Sequence, residues 1–525
     1  AYSKMLDIVL KVRPLILLVS FGTVALTFHL FTTMPKGFFP LEDTGQLSVT
    51  TEAGQDISFP AMAELQQRIA KIFMNDPAVA QVNASAGATG LSTSVNQGRL
   101  FIGLKPRDQR PGADEIIRRL RPKLAEIPGV NVFIQKTQNL NIGGRAAKSL
   151  YQYTIQSPST EELYRWAGIL ETRMKALPGL RDVNTDLQIR GPEAMIDINR
   201  DRAASLGIST EAVRNTLYSA FGTRQVSTIY TPSNSYQVIL EVEPRFQQNI
   251  EALSKLRVRS ATGQLVALEA FADIRRQAGP VTVNHQAQLP SVTISFNTAA
   301  GYSLGDAVNA VLALERELAL PATVSTGFSG AAQVFQAALA GQGLLLGAAV
   351  LVIYMILAIL YESFIHPITI LSGLPSAAIG ALLALKVTGL DISVIAIIGI
   401  IMLIGIVKKN AIMMIDFALQ AQRERGLAPQ EAIREACIKR FRPITMTTMA
   451  AIAGALPIAI AHGASAELRQ PLGISVVGGL LFSQVLTLFI TPVIFLYLED
   501  LRRIVGRLFG RPSAEVEAER AQPAE

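Results

Sequence analysis

The spacing of the apolar segments constrains the fold of this chain more than any other feature. Six segments are long enough to cross the roughly 30 Å hydrocarbon core of a bilayer, which needs about 20 residues each. They lie at residues 14–33, 341–361, 367–387, 392–417, 443–461 and 472–498. About 300 mostly polar residues separate the first from the other five. We therefore predict six transmembrane helices and one large domain outside the membrane.

The composition also favours a membrane protein. Half of the 525 residues are apolar and only 17% are charged, which is unusual for a soluble chain of this length. The net charge is +7, and a basic excess in a membrane protein collects at the cytosolic surface. Nucleic-acid binding is disfavoured, because the basic residues flank apolar segments and are not interleaved with aromatic residues.

The basic residues beside the spans predict the orientation. They precede the first span, fill the loop between the fourth and fifth, and follow the sixth: Lys4, Lys11, Arg13, Arg423, Arg425, Arg434, Lys439, Arg440, Arg442, Arg502, Arg503, Arg507 and Arg511. The loops around Asp391 and at 464–470 hold only Arg469. We therefore expect cytosolic termini and a large domain on the opposite side of the membrane.

Residues that carry covalent chemistry are sparse. Cys437 is the only cysteine, and the four histidines are scattered along the chain: His29, His285, His366 and His462. None lies near another at a metal-ligand spacing. The sequence also contains no nucleophile–base pair, phosphate-binding loop or metal motif. We expect no enzyme activity, no catalytic residue, no metal site and no cofactor.

The polar region predicts two related α/β subdomains. Strands at 45–53, 79–85, 99–104 and 130–135 alternate with helices at 60–76 and 113–127, in the βαββαβ order of a ferredoxin-like arrangement. A second copy begins with a strand, a helix and a strand at 151–156, 160–177 and 181–188. It ends with a strand, a helix and a strand at 291–296, 304–318 and 323–326.

An insertion at 191–277 interrupts the second subdomain. Its turn is typical of the tip of a long hairpin and consists of Thr231, Pro232, Ser233, Asn234 and Ser235. The fold class is thus an α-helical membrane bundle with a large α+β periplasmic domain. We divide the chain into a first helix, a first subdomain, a second subdomain in two pieces, the insertion, five helices and a cytosolic tail: 1–34, 35–145, 146–190 with 278–330, 191–277, 331–500 and 501–525.

The fourth span carries polar residues at membrane depth. Lys408, Lys409 and Asn410 interrupt it, and an apolar run follows at 411–415. If the helix continues through that run, Lys409 lies well inside the membrane boundary. An unpaired ionisable group there costs about 2.5–3.5 kcal/mol on insertion scales.

Two interpretations of these groups are open. Thr445, Thr447 and Thr448 begin the next span and lie at a similar depth. Either both lysines snorkel to the interface and the threonines bond their own helix backbone, or Lys409 pairs with a carboxylate in a buried relay. Asp416 is the only acidic residue of this chain near that depth, so the relay carboxylate has to come from elsewhere.

Four motifs resemble the resistance-nodulation-division efflux transporters. Gly-Ile-Val-Lys-Lys-Asn-Ala-Ile at 405–412 is similar to the tenth helix of that family, and Arg-Phe-Arg-Pro-Ile-Thr-Met-Thr at 440–447 to the start of the following helix. Pro-Lys-Gly-Phe-Phe-Pro at 35–40 resembles the exit from the seventh helix, and Leu-Tyr-Glu-Ser at 360–363 the turn after the eighth. The resemblance covers essentially the whole chain and is greatest to the B-type subunit of heteromeric MdtBC-like pumps.

The resemblance implies roles for individual residues. That family has two similar halves of six helices, and this chain resembles the second. Lys409 is then the relay lysine, beside Asn410, and Thr447 is the relay hydroxyl. Arg440 is a basic residue at the cytosolic end of the proton path, and the paired aspartates lie in the other half. Lys408 has no counterpart and is expected to snorkel.

The resemblance also implies a function and partners. It predicts proton-driven export of amphiphilic small molecules by a homo- or hetero-trimer of full-length subunits, with a periplasmic membrane-fusion adaptor and an outer-membrane channel. The hairpin tip then docks into a neighbouring subunit. Phe101 and Phe133 match positions of pocket aromatic residues, although Phe101 fits a strand core equally well. Relatives carry phenylalanines at Ala80 and within 84–90, where this chain has none.

Two other functions are weighed against drug export. Metal-ion export in the same fold calls for clustered methionines, but Met62, Met74, Met174 and Met195 are dispersed along the external region. A membrane-anchored assembly or chaperone protein would leave Lys409 without a role.

Overall fold

A computed structural model describes residues 2–87, 94–140, 142–247, 249–299, 301–463 and 465–508. Most of the predicted tail 501–525 and part of the divergent stretch 84–90 therefore lie outside the described residues. The chain begins with a short helix, α1 (Tyr2–Lys11), followed by the first membrane helix, α2 (Arg13–Thr33). Pro14 occupies the first turn of α2, where its missing N–H is not needed.

The first α/β unit follows the exit from α2. Its six elements are β1 (Gln46–Ala53), α3 (Phe59–Met74), β2 (Val79–Ala86), β3 (Gln97–Leu104), α4 (Ala113–Ala125) and β4 (Val130–Lys136). The antiparallel sheet has the order β2-β3-β1-β4. Side chains alternate along each strand, so Leu47 and Val49 enter the core with α3 and α4, while Ser48 and Thr50 lie on the opposite, open face.

The second α/β unit begins with β5 (Tyr151–Gln156), α5 (Thr160–Lys175) and β6 (Leu180–Thr185). The chain then leaves it for an insertion with a core of its own. The insertion contains β7 (Gly191–Ile198), α6 (Arg200–Ser205), α7 (Thr210–Phe221), β8 (Arg224–Tyr230), β9 (Ser235–Leu240), α8 (Glu251–Ser254), β10 (Arg257–Arg259), β11 (Leu265–Ala267) and β12 (Ala272–Gly279). Strands β7 and β12 pair antiparallel along their whole length. The chain therefore leaves the second unit and returns to it at adjacent positions.

The second unit is completed by β13 (His285–Gln286), β14 (Leu289–Thr298), α9 (Leu304–Leu318) and β15 (Ser325–Ser329). Strand β14 pairs with β5 and, on its other side, with β6 and β13, while β15 pairs with β5. The last strand begins and ends later than the sequence predicted. Its hydrogen bonds to β5 extend to Ser329, beyond the region in which apolar and polar residues alternate.

One residue joins this sheet to the membrane bundle. Gly330 separates β15 from α10, has a positive φ of 61°, and approaches Gly143 and Gly144 so closely that a Cβ would lie 3.3 Å from both. Phe335, in the first turns of α10, is buried in the core of the second unit.

The membrane helices are α10 (Ala331–Tyr361), α11 (His366–Leu371), α12 (Leu374–Val387), α13 (Val394–Arg425), α14 (Pro429–Ala459) and α15 (Ala466–Leu508).

Five stretches among the described residues are long and apolar enough to cross a membrane. They are Arg13–Thr33, Ala331–Tyr361, His366–Val387, Val394–Arg425 and Ala466–Arg502. The predicted span 443–461 lies in α14, which is not one of them, so the count of six spans is not reproduced by length and composition. The physical reason is that the apolar part of that helix, 443–459, is short, contains three threonines and two prolines, and directly follows Arg440 and Arg442.

Helix α15 is the centre of the bundle and packs against α12, α13 and α14. Small residues permit this packing: a Cβ on Gly380 of α12 would lie 2.6 Å from the carbonyl oxygen of Gly478. The hydrophobic effect does not drive helices together inside a bilayer, because lipid is as apolar as the helix surface. Helix association there depends on close packing, which small residues permit.

A buried ion pair fixes the chain between α2 and the first unit. The guanidinium of Arg110 donates to both carboxylate oxygens of Asp43 at 2.7 and 2.9 Å, and the backbone N–H of Ala113 donates to the same carboxylate. Both side chains are below 10% exposed. Burial alone would raise the pKa of Asp43, but these hydrogen bonds outweigh burial and lower its pKa to about 2.

We predict that Asp43→Asn destabilises the protein by about 3–5 kcal/mol, because it leaves the Arg110 guanidinium buried without a counter-charge. Thermal unfolding of the purified protein in detergent measures the effect. The pKa of Asp43 is lower in the folded state than in the unfolded chain, so this contribution is complete above about pH 5 and is lost as the pH falls towards 2.

Glu243→Gln is the matched control, because it breaks a pair with Arg245 in which both partners are largely exposed. It should cost less than about 1 kcal/mol. Equal shifts in the two variants would contradict a structural role of Asp43.

Candidate functional site

Three consecutive polar residues lie in the middle of α13. Lys408 is 6% exposed and Asn410 is 5% exposed, whereas Lys409 between them is exposed. Successive residues of a helix are about 100° apart around its axis, so the three side chains leave in different directions. The expectation that Lys408 snorkels is wrong, because its face of α13 also carries Ala411 and Ile415 and is enclosed by the bundle.

Lys409 belongs to an exposed stripe along α13. Ile398, Met402 and Gly405 precede it at helical spacing, and all three are exposed. Asp416 follows on the same stripe, seven residues later and thus roughly 10 Å along the axis. That distance is too long for a direct ion pair, and no described helix covers the stripe.

A hydrogen bond joins α13 to α14 beside Lys409. The side-chain amide of Asn410 donates to Oγ1 of Thr448 at 3.0 Å, and the Thr448 hydroxyl donates to the carbonyl of Ile444. Thr448 is 3% exposed, so both members of the bond are buried. The family resemblance implies that Thr447 supplies the functional hydroxyl and gives no role to Thr448. Depth along the helix selects both threonines, and only the rotation of α14 distinguishes them.

Thr447 has no such contact with α13. It is half-buried, and its hydroxyl donates to the carbonyl of Ile444 in its own helix at 3.1 Å. The hydrogen bonds among the described residues include none between Thr447 and Lys409. The structure therefore brings Asn410 and Thr448 together, and leaves Lys409 and Thr447 as separate groups.

Arg440 lies two turns before Thr447 in α14. It belongs to a basic cluster with Lys439 and Arg425 around the ring of Phe417. Its guanidinium lies 5.3 Å from the centre of the Phe417 ring, and Lys439 and Arg425 lie over the same ring at 5.6 and 5.9 Å. Nε of Arg440 is buried and has no hydrogen-bond partner among the described residues. Glu435 neutralises the two neighbours, at 2.9 Å from Arg425 and 2.7 Å from Lys439.

Both aromatic candidates lie on the open face of the first sheet. Phe101 of β3 is opposite Ser48, and Phe133 of β4 is opposite Thr50. The residues that enter the core belong to the alternate positions, so the strand-core interpretation of Phe101 is wrong; its side chain is 47% exposed. The guanidinium of Arg99 lies 6.0 Å from the Phe101 ring centre.

The two phenylalanines line different cavities. Phe133 borders a large cavity of about 1200 Å³ between β4 and the α4 end on one side and β6 and α5 on the other. Phe101 borders a small cavity of about 350 Å³, together with Arg99, Gln135 and the exit from α2. Among the described residues that line the large cavity, Phe133 is the only aromatic one and seven carry charged side chains.

Two ion pairs join the two α/β units beside the large cavity. In the buried pair, Lys148 Nζ lies 2.6 Å from Glu52 Oε1, with side chains 9% and 18% exposed. In the exposed pair, the guanidinium of Arg121 donates to both carboxylate oxygens of Asp182 at 2.9 and 2.6 Å, and Arg121 is 43% exposed. Breaking a buried pair costs about 3–5 kcal/mol, whereas an exposed pair contributes about 0–1 kcal/mol. No local sequence pattern indicates either pair.

Asp182 adopts a strained backbone conformation that its surroundings maintain. Its φ is +51°, which is uncommon for a residue other than glycine. Ser149 and Asn184 both donate to its carbonyl oxygen, and Asn297 donates to its carboxylate at 3.0 Å. Burial would raise the pKa of Asp182, but the bonds from Arg121 and Asn297 lower it below its usual range.

The described residues offer no metal centre. They include no group of three or more His, Cys, Asp or Glu side chains that could hold an ion. The described walls of both cavities also lack Met, Cys and His. Met62 and Met174 are buried in the cores of the two α/β units, while Met74 and Met195 lie on the surface.

The predicted hairpin tip joins β8 to β9. The backbone N–H and the hydroxyl of Thr231 both donate to the carbonyl of Asn234, which closes the turn around Pro232 and Ser233, and Ser235 pairs with Tyr230. The hairpin packs weakly and exposes large apolar side chains, of which Tyr230 is 81% exposed.

The long apolar helices and two external α/β units define a multi-pass membrane protein with a large extramembrane domain. The model of the AcrB/AcrD/AcrF family matches residues 1–499. The chain belongs to this family of resistance-nodulation-division transporters.

Solved structures agree on the fold. Two crystal forms of a heavy metal efflux pump match with TM-scores of 0.85 and 0.82, each at 24% identity and over 95% of this chain. The chain spans about half of those pumps, 52% and 50% of their length. At this identity the likeness concerns the fold alone.

We predict that Thr448→Val lowers stability by about 1–3 kcal/mol, because the buried amide of Asn410 loses its acceptor. Thr447→Val is the matched control one position away. It removes only a bond within its own helix and should shift stability by about 0.5 kcal/mol or less. Thermal unfolding in detergent compares the two, and equal shifts would contradict the assignment of the α13–α14 contact to Thr448.

Proposed function

We propose that this chain is the carboxy-terminal half of a proton-driven efflux transporter of the bacterial inner membrane. Its substrates are amphiphilic drugs and other toxic small molecules. The observation that carries the proposal is the exposed ammonium of Lys409 on an apolar stripe of a membrane helix. An unpaired charge at that depth is costly, so the stripe needs a partner surface with an anionic group. Membership of the family supports carboxylates on helices of the other half.

The relay follows from the electrostatics of that pairing. A carboxylate that faces Lys409 is held in its ionised form by the ammonium. Protonation of the carboxylate removes the attraction and releases α13. Because the Asn410–Thr448 bond joins α13 to α14, the two helices respond together. Thr447 lies on a more accessible side of α14 than Thr448, where its hydroxyl can accept and donate a proton, and Arg440 lies towards the cytosolic end of the same helix.

The proposed topology puts both termini in the cytosol and the α/β units in the periplasm. The distribution of basic residues supports it, since Arg425, Lys439 and Arg440 gather at one end of α13 and α14. The element order of the two α/β units supports two ferredoxin-like subdomains. We further propose a trimer of homo- or heteromeric type, with this chain as the B-type subunit, bound to a periplasmic adaptor and an outer-membrane channel.

Drug export is favoured over metal export by the chemistry of the cavities. Soft metal ions require thioether, thiolate or imidazole ligands, and the described cavity walls have none. Phe101 and Phe133 supply apolar surface, and the many charged side chains suit the polar part of an amphiphile. The likeness to heavy metal efflux pumps keeps metal export as the second candidate. A non-transporting scaffold gives no reason for the Lys409 stripe.

We predict that Lys409→Met abolishes efflux of a fluorescent amphiphile by the complete transporter while expression stays near normal, because the carboxylate loses its counter-charge. Lys408→Met is the neighbouring control. It replaces a buried amine by an apolar side chain of similar length and should retain most of the activity. Accumulation of the dye in cells that express each variant measures the difference.

Three outcomes would contradict these proposals. Full efflux by Lys409→Met, or equal loss in both variants, would eliminate the relay assignment. Protection of cells against silver or copper salts, without any protection against amphiphiles, would favour the metal-export alternative. Both assays use the same strains, so drug and metal specificity are compared at equal expression.

We predict that removal of residues 231–235 weakens the trimer while the membrane helices still fold. Tyr230→Ser is a gentler variant; a buried aromatic anchor contributes about 2 kcal/mol or more to an interface, so trimer dissociation should increase by more than about tenfold. Leu265→Ser, on an exposed strand of the same insertion, is the control. Native gels and light scattering report the oligomer, and an unchanged trimer after the deletion would show that the hairpin does not dock.

A further inference from the structure

A third cavity lies where the second α/β unit meets the membrane helices, and it has a volume of about 340 Å³. That volume falls within the range of about 300–1000 Å³ that is usual for small-molecule sites. Most of its wall comes from the exit segment after α2 (35–41), the start of α9 (301–304) and the loop between α12 and α13 (389–393). None of the residues assigned above to proton transfer or to substrate contact is among the described residues that line it.

Backbone hydrogen bonds hold these walls in place. The N–H of Gly305, in the first turn of α9, donates to the carbonyl of Lys36 at 3.0 Å, and the N–H of Ile392 donates to the carbonyl of Pro35 at 3.0 Å. The exit segment is thus bonded to α9 on one side and to the α12–α13 loop on the other. Because the walls are formed before a ligand arrives, binding there does not require ordering of the chain.

One carboxylate in this cavity has no counter-charge. Asp391 is the only charged side chain among the described residues that line the cavity. Burial raises the pKa of its carboxyl, and the neighbouring Asp306 raises it further, with no base or hydrogen bond among the described residues to lower it. A Cβ on Gly37 would lie 3.0 Å from Oδ2 of Asp391, so the carboxylate is held against the exit segment. Lys36 does not neutralise it, because its ammonium lies over the Phe31 ring, 5.4 Å from the ring centre.

The rest of the wall is largely aromatic and apolar. Phe38, Phe39, Tyr151 and Tyr302 line the cavity, and the rings of Phe38 and Phe39 meet edge to face with their centres 4.6 Å apart. Aromatic rings attract organic cations through the negative charge of their faces, and this attraction is strongest for a desolvated cation. A carboxylate without a counter-charge beside several rings is therefore suited to an ammonium group that is attached to an apolar body.

Two other kinds of occupant fit the cavity less well. A metal ion needs several oxygen, nitrogen or sulfur ligands, whereas the described wall offers a single carboxylate. An anion is attracted by the N-terminus of a helix, and both α9 and α13 begin here. However, Ser303 and Ser393 already accept hydrogen bonds from N–H groups in the first turns of these helices, and Asp391 would repel an anion.

We propose that this cavity is a binding site for organic cations in which an amine or quaternary ammonium is attached to an apolar group. Asp391 supplies the counter-charge, and the aromatic side chains contact the apolar part. In the proposed topology the cavity lies at the periplasmic surface of the membrane, where the head groups of amphiphiles collect. Its role in transport rests on the proposed function, and it narrows the substrates at this site to cationic amphiphiles.

Protection of an introduced cysteine measures binding at this cavity without any transport. Thr298→Cys places a thiol in the cavity wall, and the native Cys437 is buried. The complete transporter is treated with methyl methanethiosulfonate, a small uncharged thiol reagent, at increasing concentrations of benzyltrimethylammonium. Protein without the introduced cysteine supplies the background. We expect the cation to slow the reaction and benzenesulfonate, an anion of similar size, to leave it unchanged.

Further variants assign the protection to individual residues. Asp391→Asn keeps the shape of the side chain and should raise the half-protecting concentration of the cation by about tenfold or more, because the interaction with a charged group is lost. Phe39→Leu keeps an apolar side chain without the ring and should raise it by about threefold. Arg99→Gln changes the charge of the neighbouring small cavity and is the control, with no expected effect. Absence of protection, equal protection by the anion, or an unchanged half-protecting concentration in Asp391→Asn would overturn the site.

Efflux measurements separate this site from the proposed function. Asp391→Asn in the complete transporter should reduce efflux of a cationic dye and leave efflux of an uncharged dye unchanged. An equal effect on both dyes would overturn the role of the cavity in transport. Absence of efflux from the unmodified transporter would instead eliminate the proposed function, and the protection measurements would still decide whether the cavity binds cations.

Discussion

The free-energy cost of an unpaired polar group in hydrocarbon governs the architecture of this protein. Every backbone N–H and C=O group in a bilayer must be bonded internally, so the membrane part consists of helices. The same constraint applies to side chains. Asn410 meets it through Thr448, whereas Lys409 has no counter-charge among the described residues. The contact of α13 with α14 therefore contains a satisfied polar pair, whereas the exposed stripe that carries Lys409 contains none among the described residues.

Local patterns predicted the elements of the external units closely. Strand β1 and helix α3 begin and end within two residues of the predicted 45–53 and 60–76, because alternation and helical periodicity report directly on which face is buried. Predictions in the membrane were less accurate at helix ends. Helix α13 continues to Arg425, since hydropathy detects the lipid-contacting part of a helix and not its polar continuation into water.

The candidate sites required information that one-dimensional patterns do not contain. Depth along a helix was predictable, and it pointed to Lys409 and to the group Thr445, Thr447 and Thr448; only the family resemblance singled out Asn410 and Thr447. The rotation of each helix about its axis was not predictable from the sequence. The burial of Lys408 and the contact of Asn410 with Thr448 were therefore missed. The pair Arg121–Asp182 joins residues 61 positions apart in two different units. Its formation depends on how those units are placed, which no local signal encodes.

The single-residue junction at Gly330 fixes the rotation of α10 about its own axis relative to the sheet of the second unit. Before Gly330, strand β15 is hydrogen-bonded to β5, and after it, Phe335 anchors the first turns of α10 in the core of the second unit. The strand and the helix are therefore joined without a flexible linker. One residue added or removed here would turn α10 by about 100° relative to the sheet. Over the 31 residues of that helix, the side chains that contact lipid would then point into the protein. The length of this junction is thus as tightly determined as the identity of any residue in it.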